Sequence, residues 1–528
     1  MRRGLGGIRL SEREKITRAA GIVGFFTFLS RLAGFARDLV TAYFFGAGLA
    51  ADAFFVAFRV PNQLRRLLAE GCLTVAFIPV YTEYVGQRAK DEAQEMVSAM
   101  LGVLLVVLIA VVVVGIALSP AFIAVTAPGF ISDPAKFDLT VLLTRLMFPY
   151  VMMVSLVAFF MGILNTHGHF GAPAFSTVLL NVCIIAAVFL LYERLSQPVM
   201  ALAVGVLVGG LAQVLIQLPY LARYGIRLRP SLNFRHPAVQ RILYLMLPAV
   251  LGVAVYQFNV FIGTLLASLL PEGSVSYLYY ATRLVEFPLG IVAMGLGTAV
   301  LPSMSRQAAA KDIEGLRESI SYALRLVMFI NAPAMVGLIV YRLPIVSVLF
   351  ERGRFDPATS AATADALLAY AVGLWAVSAV RVIVPAYYSL QDTRTPVRYA
   401  IVALVVNIVF SVALMGPLRH VGLALANSLA AVANMGLLLY SLRVRLGRLG
   451  LRRIILSVGK TALASAGMAA VIIGVARLPW GAPESAQLLA LDIGLGVGAY
   501  FLLSYFIRNP ELQAMTEMFR TAALRLQR

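Results

Sequence analysis

The sequence predicts an all-α polytopic membrane protein of about fourteen transmembrane helices, two parallel six-helix repeats followed by an appended pair. Three observations predict it. The 528 residues are 60% hydrophobic and only 13% charged, with a mean hydropathy of +0.87, so there is too little charge to cover the surface of even one water-soluble domain. Apolar segments long enough to cross hydrocarbon, roughly 20 residues each, follow one another along the chain. Matching features then recur about 221–226 residues apart. The same composition excludes a disordered chain and a disulfide scaffold; Cys72 and Cys183 both lie in apolar stretches and read as small buried hydrophobes.

Taken in order, the spans centre near 18–45, 52–82, 97–127, 139–164, 173–192, 198–222, 240–270, 276–304, 318–350, 360–390, 396–416, 420–442, 454–477 and 486–507. The third contains LLVVLIAVVVVGIAL without a charge. The second is interrupted by Arg59, Arg65, Arg66 and Glu70, and Pro61 and Asn62 predict a break in its helix. No cleavable signal peptide is expected, because the first apolar stretch is long and contains Arg31, Arg37 and Asp38. If the spans alternate, loops on the N-terminal side hold about 27 Lys and Arg and the opposite loops about 7, which makes both termini cytoplasmic. Arg342, Arg352 and Arg354 run against the count. The net charge of +19 is therefore a topology signal with attraction to anionic membrane lipids, not a nucleic-acid footprint.

The repeat pairs Pro79 with Pro302, Asn165 with Gln391, Pro173 with Pro396, Asn181 with Asn407, and Gln213 with Asn434. Six helices separate the copies, an even number, so both halves point the same way, as in parallel-repeat transporters. The organisation expected is a basic N-terminus at 1–17, a first lobe at 18–222, a basic loop at 223–239, a second lobe at 240–442, the extra pair at 454–507 and a cytoplasmic amphipathic tail at 508–528. In that tail Leu512, Met515, Phe519 and Leu526 alternate with Arg520, Arg525 and Arg528 in the manner of an interfacial helix.

Arginines inside spans are the chemical signal. At a helix centre each costs roughly 2.5–3.5 kcal/mol, so it must face water, pair with an acid or reach an interface. Arg145 and Arg325 can snorkel; Arg31, Arg37, Arg59, Arg65, Arg66, Arg283 and Arg381 are harder to remove that way. On the first helix Arg31 shares a face with Asp38, and Ser30 with Arg37, while Gly34 sits midway where a bend would let the two arginines converge. Arg66 and Glu70 can satisfy each other, which leaves Arg65 the freer charge. Glu286 follows Arg283 by three residues, and a self-neutralising structural pair is one reading of them. Counting Arg31, Arg37, Arg65 and Arg283 against Asp38, Asp52 and Glu286, the inventory leans cationic and suits a phosphate or carboxylate ligand. Catalysis finds no support: His167 and His169 sit in a short loop without Cys, Asp or Glu nearby, His236 and His420 stand alone, and there is no phosphate-binding loop.

The runs SRLAGFARD at 30–38, FGAGLAADAFFVAFRVPN at 45–62, LRRLLAEG at 64–71, YYATRLVEFP at 279–288 and QDTRTPV at 391–397 closely resemble the MurJ (MviN) family, the lipid II flippases of peptidoglycan synthesis, and the similarity runs nearly end to end. The resemblance implies the multidrug/oligosaccharidyl-lipid/polysaccharide exporter superfamily, with two six-helix lobes in a V around a central cationic cavity. It implies that the last two helices line a groove for the undecaprenyl tail. Carried over by position, Arg31, Arg37 and Arg283 are cavity arginines for the diphosphate and headgroup; Arg65, Ser30, Ser276, Asp38, Asp52, Glu70, Glu286 and Gly34 are further substrate, cavity or gate positions. Thr282 stands where some members carry an acid, so gating by that acid is in doubt here. The resemblance implies lipid II as partner, a bacterial plasma membrane location, a monomer and no cofactor, and leaves open a coupling ion and cell-wall synthesis proteins as partners. A lipid-linked saccharide diphosphate loses its hydration in hydrocarbon, and an arginine-lined wet path would replace it while the prenyl tail stays in lipid. An inside-negative potential favours exit of an anion by about 2.3 kcal/mol per charge per 100 mV. A sibling exporter of another polyprenyl-linked saccharide, a cation or drug antiporter, an enzyme acting on lipid-linked sugars and a non-transporting scaffold are the other readings.

Overall fold

The computed structural model describes residues 12–65, 74–477 and 485–517, and among them every regular element is helical. The N-terminal half runs α1 (Glu12–Phe45), α2 (Leu49–Arg65), α3 (Thr74–Gln87), α4 (Lys90–Ala117), α5 (Ser119–Thr126), α6 (Pro134–Met147), α7 (Tyr150–Thr166), α8 (Gly171–Leu191), α9 (Met200–Leu215), α10 (Leu218–Arg223) and α11 (Pro237–Ser268), with a 3-10 turn at Pro128–Ser132. The rest is α12 (Ser274–Ala309), α13 (Ile313–Val340), α14 (Arg342–Phe350), α15 (Pro357–Ala371), α16 (Leu374–Ser389), α17 (Arg394–Leu446), α18 (Leu451–Ala476) and α19 (Ala486–Phe506).

Each of the fourteen expected spans falls on one of these helices or on a consecutive pair. Eight described helices are long and apolar enough to cross a membrane, nine if α15 and α16, bent by 43°, form one span. Helix α1 lies outside that set because Arg31, Arg37 and Asp38 put three charges into its apolar stretch. The spans expected at 396–416 and 420–442 meet at Arg419, whose φ of 50° breaks the long α17 just after Pro417. The break expected at Pro61 does not occur: α2 continues through it to Arg65. One proline removes a single hydrogen bond, and the packed flank of α2 holds the helix through the loss.

The chain divides into two compact units, one comprising residues up to 41 with 49–261, the other 42–48 with 262–528. The division falls inside α11, not in the basic loop 223–239. That loop is bound to the first unit: Ser231 N donates to Ser98 O at 2.9 Å, and Arg227 N to Gln94 Oε1 at 3.0 Å. Arg241 at the start of α11 pairs with Glu83 of α3 at 2.8 Å.

In the first unit Phe77, Tyr81, Met96, Met100, Phe159 and Ile163 pack with Val239 and Ile242 in one core. Helices α8 and α9 approach closely where Gly205 and Gly209 face the α8 backbone at Ile184 and Leu180, the small-residue packing that membrane helices use in place of a hydrophobic drive. In the second unit Leu316, Ile320, Leu324 and Val327 of α13 meet Ile383 and Tyr387 of α16 and Leu438 and Leu442 of α17. The turn after α1 packs within this unit. Tyr280 Oη donates to Gly46 O at 3.1 Å and Arg354 N to Tyr43 O at 2.9 Å. Gly46 has φ +62° and lies against the Arg354 carbonyl, so a side chain there would be strained and would clash.

Candidate functional sites in the two units

Helix α1 supplies the densest polar group of the first unit. Arg37 Nε and Nη2 both donate to Asp38 Oδ1, at 3.1 and 2.7 Å, and its Nη1 donates to Asn181 Oδ1 of α8 at 3.1 Å. Asn181 closes the group by donating from Nδ2 to Ser30 O at 3.4 Å and to Thr177 O at 3.2 Å. Asp38 is buried, and Gly34 lies beside the same amide, where an added Cβ would make ordinary contact at 3.7 Å. Helical periodicity puts Asp38 on Arg31's face two turns away; the guanidinium that pairs with it is that of its immediate neighbour, Arg37. Arg31 is exposed, with no ion pair or hydrogen bond among the described residues.

Helix α2 carries the other two first-unit positions. Arg65 Nε donates to Asn62 Oδ1 at 2.9 Å, so the residue expected to break the helix instead orients the arginine. Asp52 is 1% exposed and pairs with Lys136 Nζ of α6 at 2.8 Å. The same ammonium lies 4.3 Å from the Phe130 ring centroid. Asp133 starts α6 by accepting from Lys136 N at 3.2 Å, which fixes the lysine in the first turn. Sequence reasoning missed Lys136 by leaving it in a loop before the span at 139. Its signal was a lone lysine one turn from an apolar helix. Glu70, Arg66 and Cys72 lie outside the described residues, as do Phe519, Arg520, Arg525, Leu526 and Arg528 of the tail.

In the second unit α12 carries Arg283 between two partners on its own helix. Nη1 donates to Glu286 Oε2 at 2.9 Å, Nη2 to Tyr279 Oη at 3.1 Å, and the guanidinium carbon lies 4.9 Å from the Tyr279 ring centroid. Both charged side chains are over a third exposed, so the pair stays open to water and to a ligand. Thr282 donates to Leu278 O at 2.7 Å and so turns into its own helix. Ser276 is fully buried. Arg381 on α16 donates to Leu289 O of α12 at 3.2 Å.

Snorkelling does not describe Arg325. It pairs with Glu511 at 2.9 Å, and Glu511 is fully buried, held with Asn509 against Thr461 of α18. The start of the expected amphipathic tail is thus docked into the second unit.

The two loop histidines of the first unit are ring-packed. His167 Nε2 meets Tyr81 Oη at 3.1 Å and stacks on Tyr224 at 5.0 Å, while His169 stacks on Tyr220 at 4.3 Å. Burial pushes both imidazoles below their usual pKa, and the Arg223 charge adds to the shift at His169. The HxH pattern builds its imidazoles into a wall of stacked tyrosines.

Comparison with known proteins places the chain in a lineage. A protein of Vibrio cholerae named a probable lipid II flippase MurJ is 39% identical over 518 residues, covering 96% of this chain and 99% of its own. The lipid II flippase MurJ of Burkholderia cenocepacia is 40% identical over 432 residues, 81% of this chain and 84% of that protein. Among solved structures, a lipid II flippase MurJ in an inward closed conformation matches with a TM-score of 0.77 at 25% identity, over 92% of this chain and 98% of the other. An inward-facing multidrug resistance transporter of the MATE family and MOP superfamily shares the fold, with a TM-score of 0.66 at 16% identity over 80% and 95% of the two chains. With the lipid II flippase MurJ family profile matching residues 41–483, the chain belongs to the MurJ family.

Proposed function

We propose that the chain is a lipid II flippase, a transporter and not an enzyme, that moves the lipid-linked peptidoglycan precursor from the cytoplasmic to the outer leaflet of the bacterial plasma membrane by alternating access. The observation that carries this is the relation, over nearly the whole length, to proteins named lipid II flippases. The residues supply a physical route. Arg31, Arg37 and Arg65 in the first unit and Arg283 in the second provide guanidinium groups that replace the water lost by a diphosphate and its sugars. Among the described residues Arg31 has no partner to displace, whereas Arg283 exchanges an exposed carboxylate for the ligand's phosphate. Helices α18 and α19 flank the prenyl tail, and the basic excess on one set of loops puts both termini in the cytoplasm.

The test is export of lipid II in cells depleted of their own flippase and rescued by this gene or by Arg31→Ala, Arg37→Ala and Arg283→Ala. Rescue by the wild type, lost in inserted arginine variants, supports the reading. An inserted wild type that exports no lipid II turns it toward a sibling exporter. Variants that rescue fully make the arginines structural.

A further inference from the structure

The helix pair α18 and α19 turns polar side chains inward and apolar ones outward. The buried faces carry Ser457, Thr461 and Ser465 on α18 and Asp492, Tyr500 and Ser504 on α19, while Leu463, Ile473, Leu491 and Leu502 are exposed. In hydrocarbon an apolar outer face gives no drive to pack, so close approach and hydrogen bonds must hold such a pair in place. Close approach occurs where Gly467 meets Leu503 and Gly496 meets Ile472.

The hydrogen bonds gather towards the end where the chain leaves α19. Tyr500 Oη donates to Phe329 O of α13 at 2.7 Å. Just past Phe506 the backbone turns at Arg508, whose φ of 54° is a left-handed conformation, and the Arg508 carbonyl accepts from Lys460 Nζ of α18 at 3.0 Å. A non-glycine residue keeps such a conformation only where its surroundings over-determine it. The turn delivers Asn509, 1% exposed, to α18: its Nδ2 donates to Thr461 Oγ1 at 3.2 Å, and its Oδ1 accepts from Glu511 N at 3.2 Å. Glu511 is fully buried and accepts from Arg325 Nη1 of α13 at 2.9 Å. One short segment thus joins α13, α18 and the end of α19. A buried ion pair adds little net stability over an apolar pair of the same shape, whereas its fixed bond permits one geometry.

We propose that Asn509 and Glu511, with Arg325 and Thr461, form a lock that fixes the α18–α19 pair to α13, and that they are positioning residues for the lipid chain of the transported molecule. They act through the exposed apolar side chains of the pair. A prenyl chain stays in hydrocarbon against those side chains, and it guides its headgroup only along a surface held in one place. The positioning role rests on the flippase reading; the lock does not.

The test uses the full chain in liposomes, with spin labels at the exposed positions Glu318 of α13 and Leu463 of α18. The wild type gives one narrow distribution of distances between them. Glu511→Gln, which keeps an acceptor and removes the charge, broadens it. Thr461→Val, a near-isosteric change that spares the ion pair, broadens it too and carries the test if Glu511→Gln does not insert. A distribution as narrow as the wild type in the inserted variants overturns the lock. Unlabelled protein is then given lipid II and an analogue with the same headgroup on a farnesyl chain, too short to follow the pair along its length. The variants slow lipid II about tenfold and leave the analogue unchanged. Equal slowing of both substrates, as a general loss of structure gives, overturns the positioning role, and so does no slowing of either. A wild type that moves neither substrate overturns the flippase reading and the positioning role with it, while the label distances still decide the lock.

Discussion

Arg37 on α1 and Arg283 on α12 are the same residue type in spans of similar character, yet they are held in opposite ways. Arg37 is locked by a buried aspartate and by an asparagine from a helix 144 residues away in sequence. Arg283 leans on Glu286 and Tyr279, both within one turn of the same helix, and the pair is exposed. In the first unit the polar groups tie helices together, as Asp52 and Lys136 do between α2 and α6. On α12 the ion pair lies within one turn of a single helix and stays over a third exposed. Charge inside a membrane protein therefore has two uses, and burial of the partner separates them better than the arginine does.

That contrast breaks if stability does not follow it. The largest loss is expected for Lys136→Ala, which takes the ammonium from the buried Asp52: about 3–5 kcal/mol, read as a fall in the unfolding midpoint of the purified protein, with much of it recovered in the double variant Asp52→Asn, Lys136→Met. Arg37→Ala leaves Asp38 buried without its guanidinium and should cost about 2–3 kcal/mol, with Arg37→Lys restoring part of it. A wild-type midpoint in either variant would mean that these pairs do not hold the helices.

Acid should sharpen the picture at the wall of stacked rings. His167 and His169 have folded-state pKa values below the usual imidazole value, so the folded state takes up protons less readily than the unfolded chain. Their contribution is complete above about pH 6.5 and is lost as pH falls from there through the folded values. Replacing His169 by Phe keeps the stacking and should flatten the pH dependence of the midpoint; an unchanged slope counts against it. Arg283→Ala should move stability by no more than about 1 kcal/mol while transport falls. Arg31→Ala should do least to stability, within about 0.5 kcal/mol, and still abolish rescue. If Arg31→Ala destabilises as much as Arg37→Ala, the two arginines do not differ in kind.

Much of this was legible before any coordinates. Composition forces a lipid solvent, apolar runs of about 20 residues satisfy their own backbone there as helices, and so the helices and their rough limits follow from the chain alone. The pairing of Glu286 with Arg283 was legible for the same local reason, three residues on one helix face. Tertiary structure decided the partners that come from afar or around the helix. Asn181 for Arg37, Lys136 for Asp52 and Glu511 for Arg325 are set by which helices pack, and local spacing carries no record of that. It decided too that the basic loop rests on the first unit and that α2 runs straight through Pro61. A helix is determined by its own residues because its hydrogen bonds are local; the worth of a charge is determined by what surrounds it, and only the packed chain supplies that.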